Sequence, residues 1–341
     1  MGTEKTYLEI SWGTLWKILI FLAVLIILYY VRWTLAAFFM AIIIALGFEP
    51  FINFFEKRGI PRLLGTIIIF LFLILLFGTV IYFIFPLFSS EVTNFISRFS
   101  KIIFIIFNFK SPPEFITNLT SGFERILNFL TLNEVSLTET LSKIAPKILL
   151  GIATVIISFF LMVEKDGTER FLKAVLPENY ERTALHIFHG FKIKIRRWFL
   201  TQLVMSSVIG IMTGLGLWLL GVNSSFLLGL LAAVFELVPI VGPVLVGSLA
   251  FLIALSDSFI LGIYTALFFV FVQQFESHIL IPLIFGKTIN VHPVIVIVAI
   301  VGGSQVAGIL GFVLAVPIAI LIQETITYLA AKKAKRLSLE I

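Results

Sequence analysis

Cysteine is missing altogether from the 341 residues, and charge is scarce, with Asp, Glu, Lys and Arg making up 13% of the chain. The first absence excludes disulfides, thiolate metal sites and cysteine nucleophiles. The second excludes an ordinary soluble domain, in which about a quarter of residues are charged. No GxxxxGK[ST] phosphate loop occurs, so nothing in the chain supports ATP-driven work. The alternating segments of a β-barrel, about 10 residues each, are absent too. No basic run has the interleaved aromatics of a nucleic-acid strip, so the net charge of +6 implies no nucleic-acid partner. His186 and His189 share a polar stretch but have no third ligand near them in sequence. No nucleophile–base pair emerges either, so we expect no enzyme, no metal and no cofactor.

What the chain has in abundance is apolar length: 60% of its residues are hydrophobic, gathered in many long runs. A helix needs about 20 such residues to cross a bilayer, so the fold class is all-α, a polytopic membrane protein of about eight spans. Residues 1–86 hold the first three, at about Leu15–Val31, Thr34–Phe48 and Leu63–Phe85, with Arg32 and Trp33 at an interface and Pro86 as a stop. The apolar segment near the start lacks a small-residue cleavage site and reads as an anchor. In 87–145, Val92, Phe95, Ile96, Phe99, Ile102, Ile103 and Ile106 recur at helical spacing between polar residues. This predicts an amphipathic insert, with a second helix through Phe115 to Leu130. Its apolar stripe needs a cover: bilayer, neighbouring helices or a second subunit of a homo-oligomer. Residues 146–163 are the fourth span, 164–197 a basic insert, 198–326 spans five to eight, and 327–341 a basic tail.

Lysine and arginine orient the whole. The 164–197 insert has eight of them, whereas 87–145 has five, matched by five glutamates. Eight spans with both termini cytoplasmic put the 49–62 loop, the basic insert and the tail inside, and 87–145 outside.

The sharpest chemical signal lies in Phe226–Phe251. Glu236 interrupts an apolar run and is followed by Pro239, Gly242 and Pro243. Proline removes a backbone donor, and backbone broken at membrane depth needs protein cover or a polar cavity. An acidic group beside such a break points to a solute or ion pathway; the plainer reading is that Glu236 caps freed donors. The stretch is either one kinked helix or two half-helices. A second cluster is Gln273, Gln274 and Glu276, of which Gln273 and Glu276 share a helix face. Gln202 and Gln305 are further pathway candidates, and Gly302, Gly303 and Gly308 would let another backbone come close.

These motifs resemble the autoinducer-2 exporter family of permeases over most of the chain. The resemblance rests on Gly59-Ile60-Pro61-Arg62, Asp166-Gly167, Gly214-Leu215-Gly216 and Gly221. It extends to Glu236 with Pro239, Gly242 and Pro243, then Gln274 with Glu276, Pro282 and Gly286, His292-Pro293, and Gly302-Gly303 through Gly311 to Pro317. Where the family often has Gly-Gln, this chain has Thr201-Gln202. The resemblance implies an eight-span secondary transporter of the cytoplasmic membrane that exports a small polar solute. The alternative it carries is sodium(lithium)/proton antiport through intramembrane carboxylates. A non-transporting membrane scaffold is a third reading, and it would not need Glu236 in the membrane.

Overall fold

The computed structural model describes residues 12–107, 137–238, 241–285 and 291–337, and every regular element among them is helical. In chain order these are α1 (Trp12–Lys57), α2 (Arg62–Phe107), α3 (Leu137–Val163), α4 (Gly167–Val175) and α5 (Glu178–Leu220). There follow α6 (Ser225–Phe235), α7 (Val241–Asp257), α8 (Phe259–Phe275), a π-helical segment (Glu276–Phe285), α9 (Pro293–Val313) and α10 (Ala315–Leu337). Six described helices are long and apolar enough to cross a membrane, or seven if α3 and α4, bent by 104° at their junction, form one span. The chain is a multi-pass membrane protein.

Three expected boundaries are not boundaries. The helix runs unbroken through Arg32–Trp33, so the first two expected spans are one α1 of 46 residues. At about 1.5 Å per residue it is about 69 Å long, over twice the roughly 30 Å hydrocarbon core. Interface residues do not turn a chain by themselves; that needs Gly, Pro or a polar run, and Arg32 instead lies over the Tyr29 ring on the same helix face. Likewise α2 passes through Pro86, and the amphipathic stretch to Phe107 is helical but continuous with it. Residues Glu178–Leu220 form a single helix, so Arg197-Trp198 opens no new element. The second insert helix at Phe115–Leu130, with Gly286 and the chain beyond 337, lies outside the described residues.

Elsewhere the local chemistry acts where expected. Asp166 takes a left-handed conformation (φ 57°) ahead of Gly167, turning α3 into α4. Gly221 (φ 81°) ends α5 in a C-terminal cap, with its own N–H and that of Val222 closing onto the last carbonyls. The last expected span divides in two. Gly308 (φ 52°) breaks α9, and beyond it the chain doubles back until the backbones at Gly303 and Gly311 touch. The backbone approach expected of these glycines is thus made within one segment. Two apolar cores organise the bundle: one joins α5, α6, α7 and α8, the other α1, α5 and α10.

Candidate functional site

The pairing of α5 with α6 sets the site. Gly210 and Gly214 lie against Gly229 and Ala233, so closely that a Cβ on Gly229 would collide with the Gly214 backbone. With backbones in contact, Gln202, two turns before Gly210, comes level with the end of α6. Its Nε2 donates to the main-chain carbonyl of Glu236 at 2.5 Å. Gln202 is buried, and its Oε1 has no hydrogen-bond partner among the described residues.

Glu236 closes α6 and is 1% exposed. Glu276 is 5% exposed, and the two carboxyls face each other within hydrogen-bonding reach. Both groups only accept when ionised, and a proton on either would turn this contact into a hydrogen bond. Gln273 Nε2 reaches Glu276 Oε2 at 3.5 Å, the one-face relation expected from their spacing. No Lys, Arg or His among the described residues forms an ion pair with either acid. Gly242, in the first turn of α7, packs on the Glu236 carboxyl and backbone, where a Cβ would come within 2.6 Å of Oε2. The positive end of α7 is therefore beside the acid, an arrangement that favours negative charge there. Oε2 itself has no partner among the described residues.

The structure therefore gathers Glu236, Glu276, Gln202, Gln273 and Gly242 in one place, with Pro243 buried in the same first turn. It does not bring in Gln274 or Gln305, whose side chains are exposed. Pro239 lies outside the described residues. The break is of the half-helix kind: α6 stops at Phe235, and Glu236–Val238 turn away before α7 begins. One determinant was invisible in sequence. Glu276 opens a π-helical segment, whose i→i+5 hydrogen bonding alters the turn where the acid sits. Pro282 was the only local hint of irregularity.

Beside this site lies a cavity of about 860 Å³ among α1, α2, α5, Leu237–Val238 and the α9–α10 junction. Gln202, Ser207 and Trp198 are the wall residues with polar side-chain atoms.

A second polar cluster sits around Lys192, earlier in α5 than Gln202, where sequence reading saw only a basic insert. Lys192, 9% exposed at its side chain, has Nζ 3.1 Å from Glu169, 3.3 Å from Asp166 and 3.5 Å from Glu49. Arg196 pairs with Glu49, and Arg62 donates to the Met162 carbonyl at 2.8 Å and to Asn53 at 3.2 Å. Residues 49–57 are the last turns of α1 and not the loop expected there, and they meet the 164–197 stretch at this place. His186 lies against Tyr328, and no metal-holding group of three His, Asp or Glu occurs among the described residues.

Comparison with known proteins gives a consistent answer. Residues 18–331 match the sequence model described as AI-2E family transporter. YueF of Bacillus subtilis (strain 168), named as a candidate transport protein, is 28% identical over 288 residues, covering 80% of this chain and 77% of its own. A candidate transport protein of Synechocystis is 24% identical over 82% of this chain and 73% of its own. The candidate permease PerM of Escherichia coli (strain K12) is 23% identical over 56% and 57%.

Proposed function

Because the chain belongs to the AI-2E family of transporters, we propose that it is a proton-coupled secondary transporter whose exchanging centre is the Glu236–Glu276 pair. One observation carries this reading: two buried acids face each other beside a broken helix, with no basic side chain among the described residues paired to either. A carboxyl pair of that kind holds a proton in one state and releases it to admit a cation in another. Sodium or lithium is the cargo best suited to it. The ligands would be the two carboxyls with the unpartnered Oε1 of Gln202 and the amide of Gln273, hard oxygen donors of the kind alkali ions take.

The test uses the chain in proteoliposomes loaded with a pH-sensitive dye and pulsed with sodium, lithium or potassium. Sodium or lithium, and not potassium, should move protons. Glu236→Gln should abolish the movement while the protein stays folded, and retention of full pH-dependent exchange by this variant would remove the pair from the mechanism. A second reading is export of a small polar solute, as the family description suggests. The cavity next to Gln202 has the room for it, and it predicts solute efflux driven by a proton gradient with no response to sodium.

Orientation and assembly belong to the same proposal. We place the Lys192 end in the cytoplasm, by its excess of lysine and arginine. An unbroken α1 then carries the N-terminus to the opposite side, in contrast to the expectation of two cytoplasmic termini. Impermeant labelling of cysteines at Thr14 and Asn179 tests both points; reaction from the same side would require a turn at Arg32 after all. A homo-oligomer would cover the stripe at Phe99 and Ile103, and changing both to Ser should then give smaller detergent-solubilised particles.

A further inference from the structure

One turn beyond Gln202 on α5, Ser206 is 4% exposed, and its Oγ has no hydrogen-bond partner among the described residues. That is unusual for a helical hydroxyl, which can turn back onto a carbonyl of the preceding turn. The buried Thr66, Thr154 and Ser158 do so at 2.8–2.9 Å, and the exposed neighbour Ser207 does so onto Leu203 at 2.8 Å. A buried hydroxyl left without a partner is unfavourable until one arrives.

The height of Ser206 in the bundle tells which partner it awaits. Gly210, one turn on, packs against Ala233, and Gln202, one turn back, donates to the Glu236 carbonyl. Ser206 lies between these contacts on the same face of α5. It is therefore level with the last turn of α6, which Glu236 closes. Thr213 is unpartnered as well, but it sits level with Gly229, two turns of α6 before Glu236. At the Glu236 level three oxygens lack a partner among the described residues: Gln202 Oε1, Ser206 Oγ and Glu236 Oε2. None of them has room for a water against it. What completes such a set is positive and smaller than water, an alkali ion whose hydration shell the protein oxygens replace. We propose that Ser206 is a ligand of the exchanging ion, an Oγ lone pair joining the two carboxyls and Gln202. The role rests on the cation exchange proposed for the acid pair: the acids carry the proton, and Ser206 sets how tightly the ion is held.

Two consequences separate a ligand from a packing residue. Removing an unpartnered hydroxyl relieves its cost, so Ser206→Ala should raise the thermal midpoint of the full chain in choline chloride. The same variant should lose most of the further rise that lithium or sodium chloride gives the parent chain. In proteoliposomes its half-saturating lithium and sodium concentrations should rise about five-fold or more, with the maximal rate of proton movement kept. Ser206→Cys nearly keeps the side chain's size but exchanges a hard oxygen for a soft sulfur, and should lose ion affinity likewise. Ser248→Ala, at an exposed hydroxyl bonded to the Val244 carbonyl, should match the parent throughout. Parent-like half-saturation in both Ser206 variants, while sodium or lithium still moves protons in the parent, would overturn the role of Ser206 and leave the acid pair in place. A parent chain that answers neither ion would remove the cation exchange, and Ser206 as its ligand with it.

Discussion

Glu49, Asp166 and Glu169 converge on a buried Lys192 and, for Glu49, on Arg196 as well, whereas Glu236 and Glu276 have each other and two glutamines. Both clusters are carboxylates gathered around α5, one at Lys192 and the other further along at Gln202. In the first, every acid is within reach of a cation, and the contacts tie α1, the α3–α4 bend and α5 into one end of the bundle. In the second, like groups meet with no cation paired to them among the described residues. The first arrangement is how structure uses acids, and the second is how a protein keeps a site responsive to protons. The difference lies in the company each acid keeps, which residue type alone does not reveal.

Removing the cation from the first cluster should have the largest effect. Lys192→Met leaves Glu49 and its neighbours without their shared partner, and breaking a buried pair from one side costs about 3–5 kcal/mol. Denaturant unfolding in detergent should show this as a lost or strongly shifted transition; an unchanged midpoint would mean that the two clusters do not differ in kind. Gly242→Ala should come next. Its Cβ would press on Glu236 Oε2 and main chain, and forcing α7 back should cost about 1–3 kcal/mol and lower transport. Glu236→Gln should shift the midpoint by less than about 1 kcal/mol, since size and hydrogen-bonding capacity are kept. Its effect should appear instead in flat transport across a pH series, where the parent chain is pH-dependent. Asp257→Asn should be smallest, because this acid sits at an exposed helix end, accepting from Asn223 at 2.8 Å. Neither midpoint nor transport should move measurably.

Much of this contrast was legible in the chain. Glu236 stood out because an acid in an apolar run before Pro239, Gly242 and Pro243 has few innocent explanations, and Gln273 and Glu276 were readable as one face. The pairing of Glu236 with Glu276 was not, since forty residues separate them and no periodicity links α6 to the π segment. Lys192 was counted among basic residues of a polar insert; its burial depends on α1 and α4 closing over it, which is tertiary information. The over-division of α1, α2 and α5 has two causes. In α1 and α5 charged and aromatic residues were taken as helix ends, but long side chains at such positions reach along the helix and leave its backbone intact; in α2 Pro86 was taken as a stop, and the helix continues through it. Gln274 and Gln305 show a simpler limit: a polar residue in an apolar helix can also lie exposed, as these two do.

The π-helical segment makes the acid pair depend on residue count as well as residue identity. A segment bonded i→i+5 needs more residues per turn than the α8 helix that feeds it. Deleting a single residue between Ser277 and Leu280 would allow the segment to relax into α-helix. Everything on one side of the deletion would then turn by about 100° relative to the other. Either Glu276 would swing away from Glu236, or the chain leading to α9 would leave its seat. Drift in length should therefore be tolerated less here than drift in composition, and single-residue deletions scanned along α8 and this segment should show a sharp minimum in proton coupling where it begins.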